Sequence, residues 1–282
     1  MTFRIVPAFL LAAAVLVLAG CAAPGAGEAA TSAHPAPAHP AVALPAAGAR
    51  FDYQLGGAYT PPEGVTVVER DRTSEPSGAG YDICYVNGFQ TQPDASKAFA
   101  AEHPELVVQT PDGPLVDEGW PDEYIFDTST EDKRESLAAI VGTWIRGCAD
   151  SGFSAVEIDN LDSYTRSDGA LSVKDNLALA ADYARIAHDA GLAIAQKNTA
   201  DRSTELKAAG YDFAVTESCF QFSECDAYTD VYSVVLDIEY TDELGEDAFG
   251  RACSSSERPQ TMILRDHSLV TPDDDGYVYR SC

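Results

Sequence analysis

The chain has 282 residues, with 45 Asp and Glu against 18 Lys and Arg, a formal net charge of −27. So acidic a protein repels nucleic acid and anionic lipid surfaces, and would attract a cationic substrate. Neither a G-x-G-x-x-G nor a Walker A sequence follows any apolar run, which argues against nucleotide binding.

In chain order, residues 1–20 read as an export signal: Arg4 supplies the positive start, and Ala8 to Leu18 is an uncharged apolar run too short to span a bilayer as a stable helix. The run ends Leu18-Ala19-Gly20-Cys21, which resembles the bacterial lipobox. That resemblance implies cleavage before Cys21 and lipid attachment to its thiol, leaving a tethered protein that touches the membrane only through its lipid. An ordinary signal peptide cut at a nearby Ala-x-Ala site is the alternative. Residues 21–50 are rich in Ala, Pro and Gly and read as an extended tether, in which His34 and His39 belong to the low-complexity spacer rather than to a metal site.

Residues 51–282 have the length of one large α/β domain or two small ones. Strands are expected at 52–56, 66–70, 82–87, 123–127, 155–159, 193–197, 213–217, 233–239 and 261–265. Several are apolar on both faces, as in a parallel sheet covered on both sides. Apolar stripes at helical spacing mark helices over 131–150 and 173–190, and a shorter one spans 203–209. Gly152, Gly191 and Gly210 stop them. About eight β–α units in one domain-sized chain favour an α/β fold of the (β/α)8 barrel type over an open doubly wound sheet.

In such a barrel the chemistry lies at the C-terminal ends of the strands. Here those ends read Glu157-Ile158-Asp159-Asn160, Gln196-Lys197-Asn198, Thr216-Glu217-Ser218, Asp237-Ile238-Glu239-Tyr240 and Arg265-Asp266. Ionisable groups therefore converge on one rim. A lone carboxylate there could simply cap the next helix. Two carboxylates flanking one bond are what glycoside hydrolysis needs, one protonated and one ionised. Lys197, on a strand between Asp159 and Glu217, would hold a neighbouring carboxylate ionised. On this logic alone Glu157, Glu239 or Asp266 would serve as well.

Of seven cysteines, Cys21 belongs to the lipobox, leaving six, which allow 15 pairings. Export suggests three disulfides. Spacing favours Cys219–Cys225, Cys253–Cys282 would pin the C-terminus, and Cys84–Cys148 remains. Metal and cofactor sites are not expected: no C-x-x-C, H-x-H or H-E-x-x-H sequence is present, and only His103, His188 and His267 lie in the domain.

At the strand ends the sequence resembles a known family. Ala155-Val-Glu-Ile-Asp-Asn160 with Asp162-Ser-Tyr164 is similar to the G-x-E-P-D-N-x-D-x-Y block of glycoside hydrolase family 114, the endo-α-1,4-polygalactosaminidases. His188 to Leu192 with Lys197-Asn198 resembles that family's A-H-x-x-G-L…K-N block. Asp212 to Cys219 with Glu224-Cys225 and Tyr228 resembles its D-F-A-x-x-E-x-C…E-C-x-x-Y block, and Ile238-Glu-Tyr240, Tyr53-Gln-Leu55 and Ile83-Cys-Tyr85 fit as well. The resemblance spans about 51–240. It implies a catalytic pair of Asp159 and Glu217, to which a retaining mechanism would assign the roles of nucleophile and acid/base respectively. It also implies substrate contacts from Gln54, Tyr85, Glu157, Asn160, Asp162, Tyr164, Lys197, Asn198, Glu239 and Tyr240. Two departures are Ile158, where the family often has Pro, and Gly88 to Pro93, where it has a Gly-Ser-x-Glu-type turn. The implied substrate is a cationic α-1,4-linked galactosamine polysaccharide, cleaved by a monomer. A carbohydrate-binding lipoprotein without activity is the alternative.

Overall fold

The computed structural model describes residues 42–282. The expected export signal, Cys21, His34 and His39 lie outside the described residues.

Strands β1 (Phe51–Gln54), β2 (Val67–Asp71) and β3 (Tyr81–Asn87) follow one another without an intervening helix. After β3 come α1 (Ser96–Glu102), a small antiparallel ribbon of β4 (Gln109–Thr110) and β5 (Gly113–Pro114), and the long α2 (Glu131–Ser151). Strict alternation then begins: β6 (Ala155–Asp159), α3 (Val173–Asp189), β7 (Ala193–Lys197), α4 (Ser203–Ala209) and β8 (Phe213–Glu217). It continues with α5 (Asp226–Thr229), β9 (Val235–Tyr240), α6 (Glu246–Ala252), β10 (Thr261–Arg265) and a final β11 (Tyr279–Ser281).

Eight of these strands pair in parallel in the order β1-β2-β3-β6-β7-β8-β9-β10, and β11 adds antiparallel to β10. The sheet curls into a (β/α) barrel. Its seam between β10 and β1 is stitched by single hydrogen bonds: Thr261 Oγ1 donates to Ala49 O at 3.0 Å, Tyr279 OH to Phe51 O at 2.8 Å, and Arg265 to Tyr53 O.

Successive residues of a strand face opposite sides, so each strand feeds two cores. The inner one contains Phe51, Tyr53, Ile83, Ala155, Phe213 and Ile263, among others. The outer one joins Val86, Val156, Ile158 and Ile194 to Leu137, Val141 and Ile145 of α2 and to Leu179, Tyr183 and Ala187 of α3. Burying one such Leu or Ile contributes about 1.5–3 kcal/mol. The sequence sets the helix limits. Thr130 accepts from Lys133 N at the start of α2, and Gly152, at φ 96°, ends it. Ser172 and Asp175 form a reciprocal capping box on α3.

The disulfides Cys84–Cys148, Cys219–Cys225 and Cys253–Cys282 are formed. The first pins α2 to the outer face of β3.

Two expectations change, and three short helices are added. Residues 123–127 are not a barrel strand: they make isolated bridges with Gln90, Val107 and Val116, in a layer of loop over the barrel mouth. Their apolar character comes from packing Ile125 and Phe126 under that loop. Residues 42–50, assigned to the tether by composition, lie against the domain: Val42 and Ala49 pack on the inner core, and Ala43 O accepts from Tyr81 OH at 2.8 Å. Helices α1, α5 and α6 run seven residues or fewer, too short to show a periodic stripe.

Candidate active site

The inward-facing positions change character along the barrel. The lower layer is apolar. Above it, the same alternation brings Tyr53, Glu69, Tyr85, Glu157, Asp159, Lys197, Glu217 and Tyr240 to the C-terminal end. There they underlie or line an open cleft of about 1200 Å3.

Lys197 is the hub. It is 3% exposed, and its ammonium lies 3.1 Å from Glu217 Oε2, 3.5 Å from Glu157 Oε1 and 3.9 Å from Asp159 Oδ2. It also donates to Tyr53 OH at 2.9 Å. Burial alone would lower its hold on the proton. The surrounding carboxylates Asp159, Glu157 and Glu217 outweigh burial and hold Lys197 well above the ordinary lysine range. Asp159 and Glu217 share one ammonium, so adding the two distances places these oxygens at most about 7 Å apart.

Asp159 accepts from Tyr85 OH at 2.8 Å and from Asn160 N at 2.8 Å. Glu217 accepts from Asn198 Nδ2 at 3.0 Å and from Tyr240 OH, while Glu217 N donates to Asn198 Oδ1 at 2.8 Å. Burial pushes its carboxyl up, but Lys197, Tyr240 and Asn198 together hold it below the usual carboxylate range. The unliganded protein therefore keeps Glu217 ionised. An acid/base in that position must gain its proton before the leaving oxygen can depart.

The residue after each of the three strands carrying Asp159, Lys197 and Glu217 takes a left-handed conformation: Asn160 at φ 61°, Asn198 at 46° and Ser218 at 59°. Asn tolerates this region, whereas for Ser it costs about 1–2 kcal/mol. The turn swings the chain outward at once and leaves room above the carboxylates.

The remaining expected contacts divide by strand parity. Tyr85, Asn160, Asp162, Asn198 and Tyr240 line the cleft. Gln54 does not: it faces outward from β1, donating to Asp52 at 2.7 Å and accepting from Arg70 at 2.9 Å. Glu239 also faces outward and accepts from Phe220 N at 2.8 Å and Gln221 N at 3.3 Å, which anchors the loop that follows Glu217. Glu157 is fully buried beneath Lys197, pushed up to about 7 mainly by burial, and has Glu69 as its neighbour. Tyr164 packs against the cluster of Val108, Ile125 and Leu171.

Other cleft residues carried no motif. Trp120 and Phe222 are 60% and 62% exposed and line the cleft, as sugar-stacking faces would. Arg166 bonds Asp117 at 2.6 Å, Asp162 at 2.8 Å and Asn160 at 2.9 Å, bracing one wall. His267 stacks on Tyr240 at 4.2 Å. Glu123, Asp71 and Glu243 also face the cleft. Inward parity would have drawn attention to Glu69 and Asp71, two residues and four residues beyond Val67.

For metals, the described residues offer Cys219, Cys225 and Asp237 within 4.8 Å of one another, but the two sulfurs are joined in a disulfide and carry no thiolate.

The family departures meet in space. A Cβ built on Gly88 would lie 2.5 Å from Ile158 Cγ2, and Gly88 O accepts from Tyr183 OH at 2.8 Å. Ile158 therefore requires the glycine that follows β3.

Comparisons with known proteins agree with the fold. No curated protein matches the sequence significantly. The fold is similar to Ega3 of Aspergillus fumigatus, solved in complex with galactosamine, at a TM-score of 0.68 and 18% identity, covering 87% of this chain and all of that one. It is also similar to the glycoside hydrolase domain of PelA from Pseudomonas aeruginosa, at 0.53 and 13% identity, covering 81% of this chain and 97% of that one. At these identities the likeness concerns the fold. The model of glycoside-hydrolase family GH114 matches residues 31–282, nearly the whole chain, and the protein belongs to that family.

Proposed function

We propose that this glycoside hydrolase cleaves α-1,4-linked galactosamine-containing polysaccharide within the chain, with Asp159 and Glu217 as its catalytic pair. The observation that carries the reading is the convergence of these two carboxylates on the Lys197 ammonium at the floor of the cleft. The two oxygens nearest Lys197 lie within about 7 Å of each other, which admits the carboxyl separation of about 5–5.5 Å of retaining enzymes.

Asp159 attacks the anomeric carbon as the bond to the leaving oxygen breaks, and Glu217 gives that oxygen its proton. The sugar is then held as an ester of Asp159. Glu217, ionised again, takes a proton from water, and the hydroxide attacks the same carbon and frees Asp159. Tyr85 and Lys197 orient Asp159. Tyr240, Asn198 and Lys197 favour the ionised Glu217 that the second step needs.

The openness of the cleft suits an endo-acting enzyme. Its acidic walls suit a substrate whose amino groups carry positive charge, and long-range attraction would raise the encounter rate in a salt-dependent way. Three disulfides fit an extracytoplasmic protein. The lipobox-like Cys21 would add a lipid anchor, and the enzyme would act as a monomer.

The test is to incubate wild type, Asp159→Asn and Glu217→Gln with partially deacetylated α-1,4-galactosaminogalactan and follow reducing ends. Wild type releases them and each variant loses about a thousandfold or more in rate. Full activity in either variant removes that residue from the pair. Cleavage of neutral glucans without cleavage of galactosamine polymers, or retention of polymer without any release by wild type, overturns the assignment.

A further inference from the structure

Glu123 stands apart from the other acidic residues of the cleft. It is 7% exposed yet lines the cleft. Asn87 Nδ2 donates to its Oε2 at 2.8 Å. Among the described residues nothing bonds its Oε1, and no cation lies within salt-bridge distance of it. Asp159, Glu217, Asp117 and Asp162 all have such a partner, and the cleft carboxylates that lack one, Asp71, Glu118, Asp168 and Glu243, are more exposed to water than Glu123. The cation nearest in the same wall, Arg166, is fully engaged with Asp117, Asp162 and Asn160.

The position of Glu123 is fixed from both sides. Asn87 is the ladder partner of Asp159 across β3 and β6, and its Oδ1 accepts from Asn160 Nδ2 at 3.0 Å and Gln90 N at 3.2 Å. With its oxygen so occupied, Asn87 can only present its amide N–H groups toward Glu123. Glu123 N donates to Trp120 O at 2.9 Å and Glu123 O accepts from Asp117 N at 3.1 Å, so its backbone is held as well. A nearly buried carboxylate without a counter-charge costs stability. Here that carboxylate is held beside the nucleophile and open to the substrate.

We propose that Glu123 receives a substrate ammonium group next to Asp159, and so determines preference for a free galactosamine residue over its N-acetylated form. This rests on the galactosamine-polymer reading above. An ammonium brings both the missing charge and donors for Oε1. An acetamido group brings one neutral donor and an acyl group that must fit against Asn87. Burial, helped by Asp159 and Asp117 and opposed by Asn87 and Arg166, pushes the free carboxyl up to about 7. Ligand binding therefore draws a proton off Glu123 at mildly acidic pH.

The experiment measures binding of galactosamine oligosaccharides, and of the same oligosaccharides after re-N-acetylation, by calorimetry. It uses the full chain carrying Glu217→Gln to prevent turnover, alone and combined with Glu123→Gln or Glu123→Asp. The Glu217→Gln protein is expected to prefer the free amine, and adding Glu123→Gln should cut that preference by about tenfold or more. Glu123→Asp, which keeps the charge, should retain most of it. Gln still offers Asn87 an acceptor, so a merely structural residue would leave the preference unmoved. An unchanged preference in the Glu123→Gln protein overturns the proposal, as does an equal loss in Glu123→Asp. A Glu123→Gln enzyme that keeps its amine preference but loses turnover would make Glu123 a proton donor instead. If the Glu217→Gln protein binds neither oligosaccharide and wild type cleaves neither polymer, the substrate class itself fails and takes this inference with it.

Discussion

Replacing Lys197 by Met removes the one cation among Glu157, Asp159 and Glu217 while keeping most of the side-chain volume. The ammonium is 3% exposed and within 4 Å of all three carboxylates, so solvent does little to soften the loss. Deleting one partner of a buried ion pair costs about 3–5 kcal/mol. For a domain of this size each kcal/mol moves Tm by about 2–4 °C, so a fall of roughly 6–20 °C is expected near pH 7.5. The pH dependence identifies the cause. Glu217 is held below its ordinary range, so in wild type it contributes stability above its unfolded pKa, lost as pH falls through the folded value. Lys197 is held above its ordinary range, so its contribution is complete at neutral pH and is lost only as pH rises through its folded value. Without Lys197 the carboxylates take up protons more readily, and the variant's deficit shrinks as pH falls from 7.5 toward 4.5. Thermal unfolding followed by circular dichroism at both pH values is the assay. A deficit of the same size at both, or one worth less than about 1 kcal/mol, would refute the idea that Lys197 acts as the counter-charge of this cluster.

Tyr240→Phe deletes a hydrogen bond to Glu217 without changing the ring. The alkaline limb of the kcat/KM profile should move to higher pH, because Glu217 then keeps more readily the proton it must donate; a limb that stays put would separate Tyr240 from the titration. Trp120→Ala or Phe222→Ala should raise KM for long polymer several-fold and change stability by less than about 0.5 kcal/mol, since both rings are more than half exposed. A fall in kcat at constant KM would place them elsewhere in the reaction. Cys219→Ser with Cys225→Ser opens a seven-residue loop and should cost about 2 kcal/mol by the chain-entropy model. Because that loop begins just after Glu217, kcat should fall too, read by reducing-end release. Unaltered kcat would show that Glu239 alone suffices to anchor it.

The barrel was legible where local chemistry is repetitive. Apolar β-runs ending in Asp159, Lys197 and Glu217 marked the strands and the side chains that meet at one cleft, because a closed barrel gathers its strand ends on one rim. Long helices were legible from their stripes. Strand parity separates the two faces: Tyr53 and Tyr240 point in, so Gln54 and Glu239, one residue away, must point out. The family blocks contain all four letters and do not say which face each occupies. The 123–127 segment misled because a loop packed over a barrel mouth buries Ile125 and Phe126 as fully as a strand would. Glu123 itself was invisible because its role comes from Asn87 and Asp159, more than thirty residues away in either direction.

The outward turns at Asn160, Asn198 and Ser218 divide the enzyme by function. The proposed catalytic carboxylates sit on strands whose positions the whole barrel fixes, while the chain that departs from them builds the walls. A graft that exchanges residues 109–122, or residues 220–224 between the two cysteines, would thus re-dress the cleft for a different polymer while leaving the strand-end groups, Glu123 and the Cys219–Cys225 disulfide in place. The same backbone geometry restricts where such a graft can begin, since a β-branched residue at position 160, 198 or 218 would be strained in the left-handed conformation each adopts.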